Sequence, residues 1–328
     1  MLNLGILSTA KINQNAIMLP VTKRSDVIIR AVASRDQTRA DVFAKKFRIP
    51  HAYEGYERLL EDESIDAVYI STPNALHVPW VEKALTYGKH VLCEKPLSPT
   101  QEEATRLAKL ADKKGLLLME ALHYSYHPFV KSLMEDLREG KLGRIEKVSM
   151  NLGFSLPPDG DIRYQPSLMG GAFMHMGCYC IHFVQHILDQ PLDVQSINAE
   201  RTNEDTADVL CKGILKVPNH EGEFSFKVSL KDKTLNSYIE IEGEKGRLVI
   251  YDPFNPVLAR NTDCIDTVRI KSDNPFFASK KLSEFGRSTY DFQLEEFLKA
   301  LSKDDLTPRM DIRNSAVIEQ GRHLLRAA

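Results

Sequence analysis

The sequence predicts an α/β chain: an amino-terminal parallel sheet layered with helices, then an α+β domain built on a large, mostly antiparallel sheet. Three observations predict it. Short apolar runs alternate with helical patterns through the first third. Beyond about Leu142 and Gly143 apolar residues fall at every second position. Finally, 328 residues are more than one hydrophobic core ordinarily organises, so two domains are expected, 1–122 and 123–328.

Four strands of the first domain stand out: "NLGILS" from Asn3, "VIIRAVAS" from Val27, "AVYIST" from Ala67 and "HVLCEK" from His90. Between the last two, "HVPWVEKALTYG" sets Val78, Val81 and Leu85 on one helical face and stops at Gly88, which suits a left-handed cap. The next helix, "TQEEATRLAKLADKKG", opens with Thr100 and Glu103 in capping-box spacing, turns Leu107, Leu110 and Ala111 inward and ends at Gly115. A strand, "LLLMEA", follows at once. In the second domain Val148, Met150, Leu152 and Phe154 alternate with other residues, as do Phe224, Phe226, Val228 and Leu230. "YIEIEGEKGRLVIYDP" reads as a hairpin around Gly243 to Gly246, and "QHILD", "DFQLEEFLKAL" and "NSAVIEQGRHLLRA" as helices. The carboxyl-terminal helices either complete this domain or pack back on the first.

Charge excludes some partners. With 43 basic and 45 acidic side chains the formal net charge is -2, which gives no electrostatic case for nucleic acid or an anionic membrane; a small-molecule substrate fits better. Five cysteines (Cys93, Cys178, Cys180, Cys211, Cys264) are scattered and lack paired metal-ligand spacing, as expected of reduced thiols in the cytoplasm. The start of the chain lacks the pattern of a secretory signal, and no apolar run has the length of a membrane span, so a soluble, unprocessed protein is expected.

The chemistry concentrates at the carboxyl ends of the first strands. In "GILSTAKIN" the first strand runs into a helix, with Ser8, Ala10 and Asn13 where a dinucleotide-binding turn, G-x-G-x-x-G, would have glycines. Small side chains leave room for a pyrophosphate at the helix start, though without glycine the turn is expected to use ordinary backbone angles. The same residues also suit a plain strand-turn-helix; the position at the first crossover favours the cofactor. At the end of the second strand "AVASRD" offers Ser34 and Arg35 in place of the acidic residue that reads the ribose of NAD. A hydroxyl and a guanidinium suit a 2'-phosphate, hence NADP. NAD stays the alternative, since Arg35 also reads as a solvated loop cation and Asp36 lies within reach of a ribose.

Two further stretches carry proton chemistry. "CEKP" puts Lys95 at the carboxyl edge of the parallel sheet, held in an extended or turn conformation by the proline after it. In "GGAFMHMGCYCIHFVQHIL" Gly170 and Gly171 make a flexible lead into a helix bearing Tyr179. A tyrosine beside a cation can protonate a carbonyl or take a proton from an alcohol; it also serves as a buried aromatic with a satisfied hydroxyl. His182 and His186 lie one helical turn apart, with Cys178 a turn before, but no HExxH signature accompanies them and no metal is expected.

Together "GILSTAKI", "STPNALH", "CEKPLS", "MEALHYSYHP" and "GGAFMHMGCYCIH" resemble the glucose-fructose oxidoreductase and inositol dehydrogenase (Gfo/Idh/MocA) family over nearly the whole chain, nearest the branch of dimeric dihydrodiol dehydrogenase and NADP-dependent D-xylose dehydrogenase. The resemblance implies a Rossmann-like first domain whose cofactor residues are Ser8, Thr9, Ala10, Ile12, Ser34, Arg35, Thr72, Pro73, Asn74, His77, Glu94 and Lys95. It implies Tyr179 as general acid/base, with Lys95 as its pKa-lowering partner and substrate anchor. His123, Arg163 and His175 are the further substrate-pocket candidates, with Tyr124 and His127 near them. Where the family motif carries an aspartate four residues before the tyrosine, this chain has His175, which puts the usual sugar substrates in doubt. The implied activity is hydride transfer between NADP and a secondary alcohol or ketone, or an aldose carbon, of a sugar, polyol or cyclic diol. The alternatives are a nucleotide-sugar ketoreductase and a non-catalytic NAD(P)-binding regulator. Family members pair through the open face of the second sheet, so a homodimer or homotetramer is expected, with apolar strands on that face.

Overall fold

Six strands carry the first part of the chain: β1 (Leu2–Leu7), β2 (Val27–Ser34), β3 (His51–Glu54), β4 (Ala67–Ile70), β5 (His90–Cys93) and β6 (Leu118–Glu120). In the computed structural model, which describes residues 1–157, 160–232, 237–252, 254, 269–278 and 287–327, they pair in parallel in the order β3-β2-β1-β4-β5-β6. That order reverses between β1 and β4, the place where a doubly wound sheet opens its ligand crevice. The strands are near-continuous apolar runs because helices cover both faces: Ala67–Ile70 is buried at every position. Helix His77–Thr86 buries Val78, Val81 and Leu85 against this sheet, and helix Gln101–Lys114 buries Leu107 and Ala111, with Leu110 partly buried beside them. Gly88 and Gly115 close the two helices at φ of 74° and 62°.

This unit is discontinuous in sequence. It comprises Met1–Ser98, Glu102–Leu122 and Tyr290–Met310, while Pro99–Gln101, His123–Thr289 and Asp311–Ala328 form a second unit. Within the first, Arg309 pairs with β6 through backbone bonds from Glu120 N–H to Arg309 O (3.0 Å) and from Arg309 N–H to Leu118 O (2.8 Å).

The second unit is organised on β7 (Ile145–Gly153), β8 (Asp193–Arg201), β9 (Asp208–Lys216), β10 (Glu223–Ser229), β11 (Tyr238–Gly243), β12 (Gly246–Tyr251) and β13 (Arg269–Ser272). Their order among the described residues is β13-β12-β11-β7-β10-β9-β8, antiparallel throughout except for the parallel pair β7 and β10. The expected hairpin is β11 and β12, turning at Glu244 and Lys245. One face of the sheet is the core: Val148, Met150, Leu152, Phe224, Phe226, Val228, Ile239, Ile241, Leu248 and Ile250 are buried. Helix Cys178–Leu188 packs on helix Ile312–Ala327, which in turn packs on β8.

The opposite face corrects an expectation. It is not a bare apolar surface: Lys147, Ser149 and Asn151 of β7 face Ser225 and Lys227 of β10 and Glu240 and Glu242 of β11, with a Lys147–Glu242 ion pair of 3.4 Å. Among its apolar members Ile214 is 47% exposed. Among the described residues no helix is long and apolar enough to cross a membrane. Cys264 lies outside the described residues, whereas Cys93, Cys178, Cys180 and Cys211 are buried thiols.

Candidate active site

The predicted cofactor residues gather on one edge of the first sheet, because β2, β1, β4 and β5 are consecutive neighbours and all end there. At the end of β1 the expected ordinary backbone angles are not found. Ser8 has φ of 107°, a conformation glycine normally occupies, and hydrogen bonds hold it there. Its hydroxyl donates to Ser71 O (3.0 Å) and accepts from Ala10 N–H (3.1 Å), so the side chain closes the turn on itself. Asn13, fully buried, donates from Nδ2 to Ser8 O (2.8 Å) and accepts at Oδ1 from the Ser71 hydroxyl (2.6 Å). Serine and asparagine thus replace glycine by supplying local bonds in place of conformational freedom.

At the end of β2, Ser34 is buried and Arg35 exposed, with the Arg35 guanidinium beside the Tyr56 hydroxyl. Asp36, within reach of a ribose by sequence, is engaged otherwise: its carboxylate accepts from Arg39 N–H (2.8 Å) and caps helix Gln37–Phe47. At the end of β4 the Thr72 hydroxyl is buried without a hydrogen-bond partner among the described residues, although nearly all such groups in proteins have one. Pro73 leads into a short turn at Asn74–Leu76, and His77 then bridges two loops. Its Nδ1 lies 2.8 Å from Pro96 O and its Nε2 2.8 Å from Thr72 O. Burial lowers the pKa of His77 against the pull of those two carbonyls.

Beyond β5, Glu94 accepts a hydrogen bond from the Tyr69 hydroxyl at 2.6 Å. Burial pushes its carboxyl up, opposed by Lys95 and by that hydroxyl. Lys95 follows, 7% exposed, with a cis peptide bond to Pro96. Lysines are almost never so deeply buried without a task or a partner. These features fit a dinucleotide: a pinned turn of small residues, an orphaned hydroxyl at the switch point, and a hydroxyl and guanidinium where a 2'-phosphate would sit.

The second unit holds the other chemistry. Glycines 170 and 171 serve close approach, which corrects the flexible lead expected of them: a Cβ on Gly170 would meet Arg163 O at 2.5 Å, and one on Gly171 (φ 112°) would meet Asp208 Oδ1 at 2.1 Å. Asp208 is buried, which raises its pKa, and accepts from Phe173 N–H (2.8 Å) where the segment Phe173–Gly177 begins. That wide turn leads into helix Cys178–Leu188 and presents Tyr179 on its first turn. The phenol is 9% exposed and sits 3.0 Å from His123 Nε2, while His123 Nδ1 sits 2.7 Å from the Thr289 hydroxyl. Tyr124 packs edge-on against Tyr179 and hydrogen-bonds His182 Nδ1 at 2.7 Å. Burial carries the pKa of His182 down to about 3, and that of His127 down to about 4.

Arg163 and His175 come together on the ring of Phe154: the guanidinium lies 5.7 Å from it and the imidazole ring 5.7 Å. Arg163 also pairs with Asp161 at 2.9 Å. Thus His123 joins Tyr179, and Arg163 joins His175. Among the described residues no cluster of three or more His, Cys, Asp or Glu could hold a metal. Sequence reasoning passed over Ser71, Tyr69, Asp208 and Thr289; of these Tyr69 and Ser71 stood inside a stretch already singled out, "AVYIST", and Ser71 also opens "STPNALH".

Residues 2–122 match the pattern of an oxidoreductase family with a NAD-binding Rossmann fold, and residues 130–249 match the GFO/IDH/MocA C-terminal domain. A D-xylose 1-dehydrogenase (NADP(+)) of Haloferax volcanii is 34% identical over 96% of this chain and 93% of its own. The chain belongs to the Gfo/Idh/MocA family. As a member of it the chain is an oxidoreductase, as its motifs suggested. Other Gfo/Idh/MocA relatives are a dTDP-3,4-didehydro-2,6-dideoxy-alpha-D-glucose 3-reductase of Streptomyces antibioticus, 34% identical over 84% of this chain and 85% of its own, and a trans-1,2-dihydrobenzene-1,2-diol dehydrogenase of Bos taurus, 32% identical over 76% and 74%. Among solved structures, a 3-ketoreductase of Actinomadura kijaniata in complex with NADP and TDP-benzene matches with a TM-score of 0.84 at 25% identity, covering 98% of this chain and 97% of the other. The Gfo/Idh/MocA fold expected from the sequence is therefore the fold observed.

Proposed function

We propose that this chain is an NADP-dependent dehydrogenase or reductase that interconverts an alcohol with a ketone, or oxidises an aldose carbon, in a sugar, polyol or cyclic diol. The observation that carries the reading is Lys95, 7% exposed just past β5 and Glu94, on the sheet edge that also carries the first turn. At the carboxyl edge of a parallel sheet, orienting an oxygen beside a nicotinamide is a role open to this side chain.

When bound, the nicotinamide supplies or accepts the hydride. The chain's own residues handle the rest. Ser8, Thr9, Ala10 and Ile12 form the backbone cradle for the pyrophosphate, and Thr72, Pro73, Asn74, His77 and Glu94 support the nicotinamide side. Ser34 and Arg35 bind the 2'-phosphate; Asp36, engaged as a helix cap, offers it no opposing carboxylate. Tyr179 gives its proton to the carbonyl oxygen in reduction or takes one from the alcohol in oxidation. Lys95 steadies the negative charge that develops on that oxygen. Arg163 and His175 line the substrate side, and His175 favours a substrate with fewer hydroxyls to hold, or a ring or nucleotide substituent. The relatives that act on D-xylose and on a dihydrodiol support this class.

A second reading, reduction of a nucleotide-linked keto sugar, is supported by the 3-ketoreductase likeness over 98% of the chain. The four buried thiols suit a reducing cytoplasm, and pairing into a homodimer or homotetramer through the polar face of the second sheet completes the proposal.

The test is a fluorescence titration with NADPH and NADH, followed by turnover assays on D-xylose, other aldoses, cyclic trans-diols and a dTDP-linked keto sugar. Tighter binding of NADPH with turnover of a free sugar or diol is expected. Turnover confined to the dTDP-linked compound would replace the first reading with the second, and tight NADPH binding without any turnover would favour a regulator.

A further inference from the structure

His123 entered as a substrate contact, yet its two ring nitrogens face the protein: Nε2 lies 3.0 Å from the Tyr179 hydroxyl and Nδ1 2.7 Å from Thr289 Oγ1. The imidazole is 3% exposed, and Tyr179 beside it 9%, so a proton leaving the phenol for bulk water has little open surface to cross. The two rings meet edge to face, 5.7 Å between centroids, which fixes the line between oxygen and nitrogen. Thr289 is a hydroxyl at 2.7 Å from Nδ1, and it can accept from an Nδ1–H. With Thr289 accepting from that Nδ1–H, Nε2 carries a lone pair aimed at the phenol.

We infer that His123, oriented by Thr289, is the positioning residue through which Tyr179 loses and regains its proton. The inference rests on the oxidoreductase reading above and deepens it. In the oxidative direction the substrate O–H bond breaks and its proton goes to Tyr179 Oη, while the phenol's own proton moves to His123 Nε2. The product is an imidazolium whose Nδ1–H remains on Thr289. In reduction the steps reverse: the Tyr179 O–H proton goes to the substrate oxygen, and the Nε2–H proton of the imidazolium restores the phenol. Oxidation leaves the alcohol's proton on the imidazole as one positive charge, released to solvent between turnovers; reduction consumes that proton and leaves the imidazole neutral. Thr289 does not titrate; it keeps the ring from turning over.

The relay separates from a packing role by what each variant retains. His123→Gln keeps a polar group of similar reach but cannot carry a proton, and His123→Ala opens space that an added imidazole can enter. With D-xylose and NADP, or trans-1,2-cyclohexanediol and NADP as second probe, both variants are expected to lose roughly 10-fold or more in kcat while KM stays within about twofold. Added imidazoles should restore His123→Ala in proportion to their basicity. Wild-type kcat in His123→Gln overturns the relay, and so does rescue that ignores the basicity of the added imidazole, since filling a hole does not depend on it. A readout independent of turnover comes from nitrogen NMR of 15N-histidine protein, the His123 signals being those lost in His123→Gln. A fixed Nδ1–H tautomer that becomes averaged in Thr289→Val is expected. An averaged tautomer in the unmodified protein overturns the relay even if neither probe turns over, whereas failure of the wild type to oxidise any substrate, with the tautomer fixed, refutes only the oxidoreductase reading.

Discussion

The first turn of the parallel sheet and the start of the Tyr179 helix are both buried polar clusters, yet they are made of different things. Around Ser8 the partners are a hydroxyl, an amide and backbone groups: Ser8, Asn13, Ser71 and the carbonyls of residues 8 and 71. None of those side chains changes charge at any pH a cell meets, so the cluster sets a shape and holds it. Around Tyr179 the partners are His123, Tyr124 and, one ring further, His182; burial keeps His182 neutral down to about pH 3, which leaves the His123 imidazole as the group placed to exchange a proton. A region that must fit a cofactor is best built from groups that stay constant, and one that must move a proton from groups that do not.

The largest expected effect tests the second cluster. Tyr179→Phe keeps the ring and deletes the proton, so steady-state kinetics should show kcat lower by about 100-fold or more with NADPH affinity unchanged. Unchanged kcat would make the two clusters alike. Asn13→Ala tests the first cluster: it leaves the Ser71 hydroxyl and Ser8 O without their buried partner, at about 1–3 kcal/mol in urea unfolding, and NADPH binding should weaken with it. Binding that survives the substitution would show that the turn holds its shape without side-chain bonds. Ser34→Asp sharpens the comparison at the edge of the cofactor site. Repulsion of a 2'-phosphate should move the NADPH-to-NADH preference by roughly 10-fold toward NADH, while equal weakening of both would indicate a disturbed strand end.

The smallest effect concerns pH. His182 is held neutral, its pKa carried from 6.5 to about 3 by burial. Below pH 6.5 the unfolded chain binds a proton that the folded protein declines until about pH 3, so stability falls as pH drops through that window. From pH 7 to pH 6 the loss from this group is less than about 1 kcal/mol. His182→Gln should reduce the shift of the urea midpoint between those pH values; an unchanged shift would place the acid sensitivity elsewhere, His127 being next in line.

The parallel sheet was legible because its central strands are continuous apolar runs, and the helices because their buried residues recur at helical spacing. β3 escaped notice since "HAYE" is a four-residue edge strand, half exposed, with no apolar run to betray it. β8 and β13 mix charged and apolar residues at sheet edges, where among the described residues one side of the strand has no neighbour to specify. In the candidate site, residue types were legible and partnerships were not. Tyr179 and Lys95 stood in motifs, but His123 lies 56 residues from Tyr179 and Thr289 lies 166 from His123, distances that only a folded chain closes. The positive φ of Ser8 was hidden for a related reason: the bonds that hold it come from Ser71, 63 residues on.

The discontinuity of the first unit fixes an order of events during synthesis. β6 is hydrogen-bonded on one side by β5 and on the other by the backbone at Arg309, so its outer edge stays open after residue 122 has left the ribosome and until residue 309 follows. Everything between, including Tyr179 and His123, must be made while the nucleotide-binding half waits with an adhesive rim. A fragment stopped at residue 122 would keep that rim for good. The dinucleotide domain of this protein is therefore not encoded by one continuous segment; the residues that pair with β6 follow β7 to β13 in the chain.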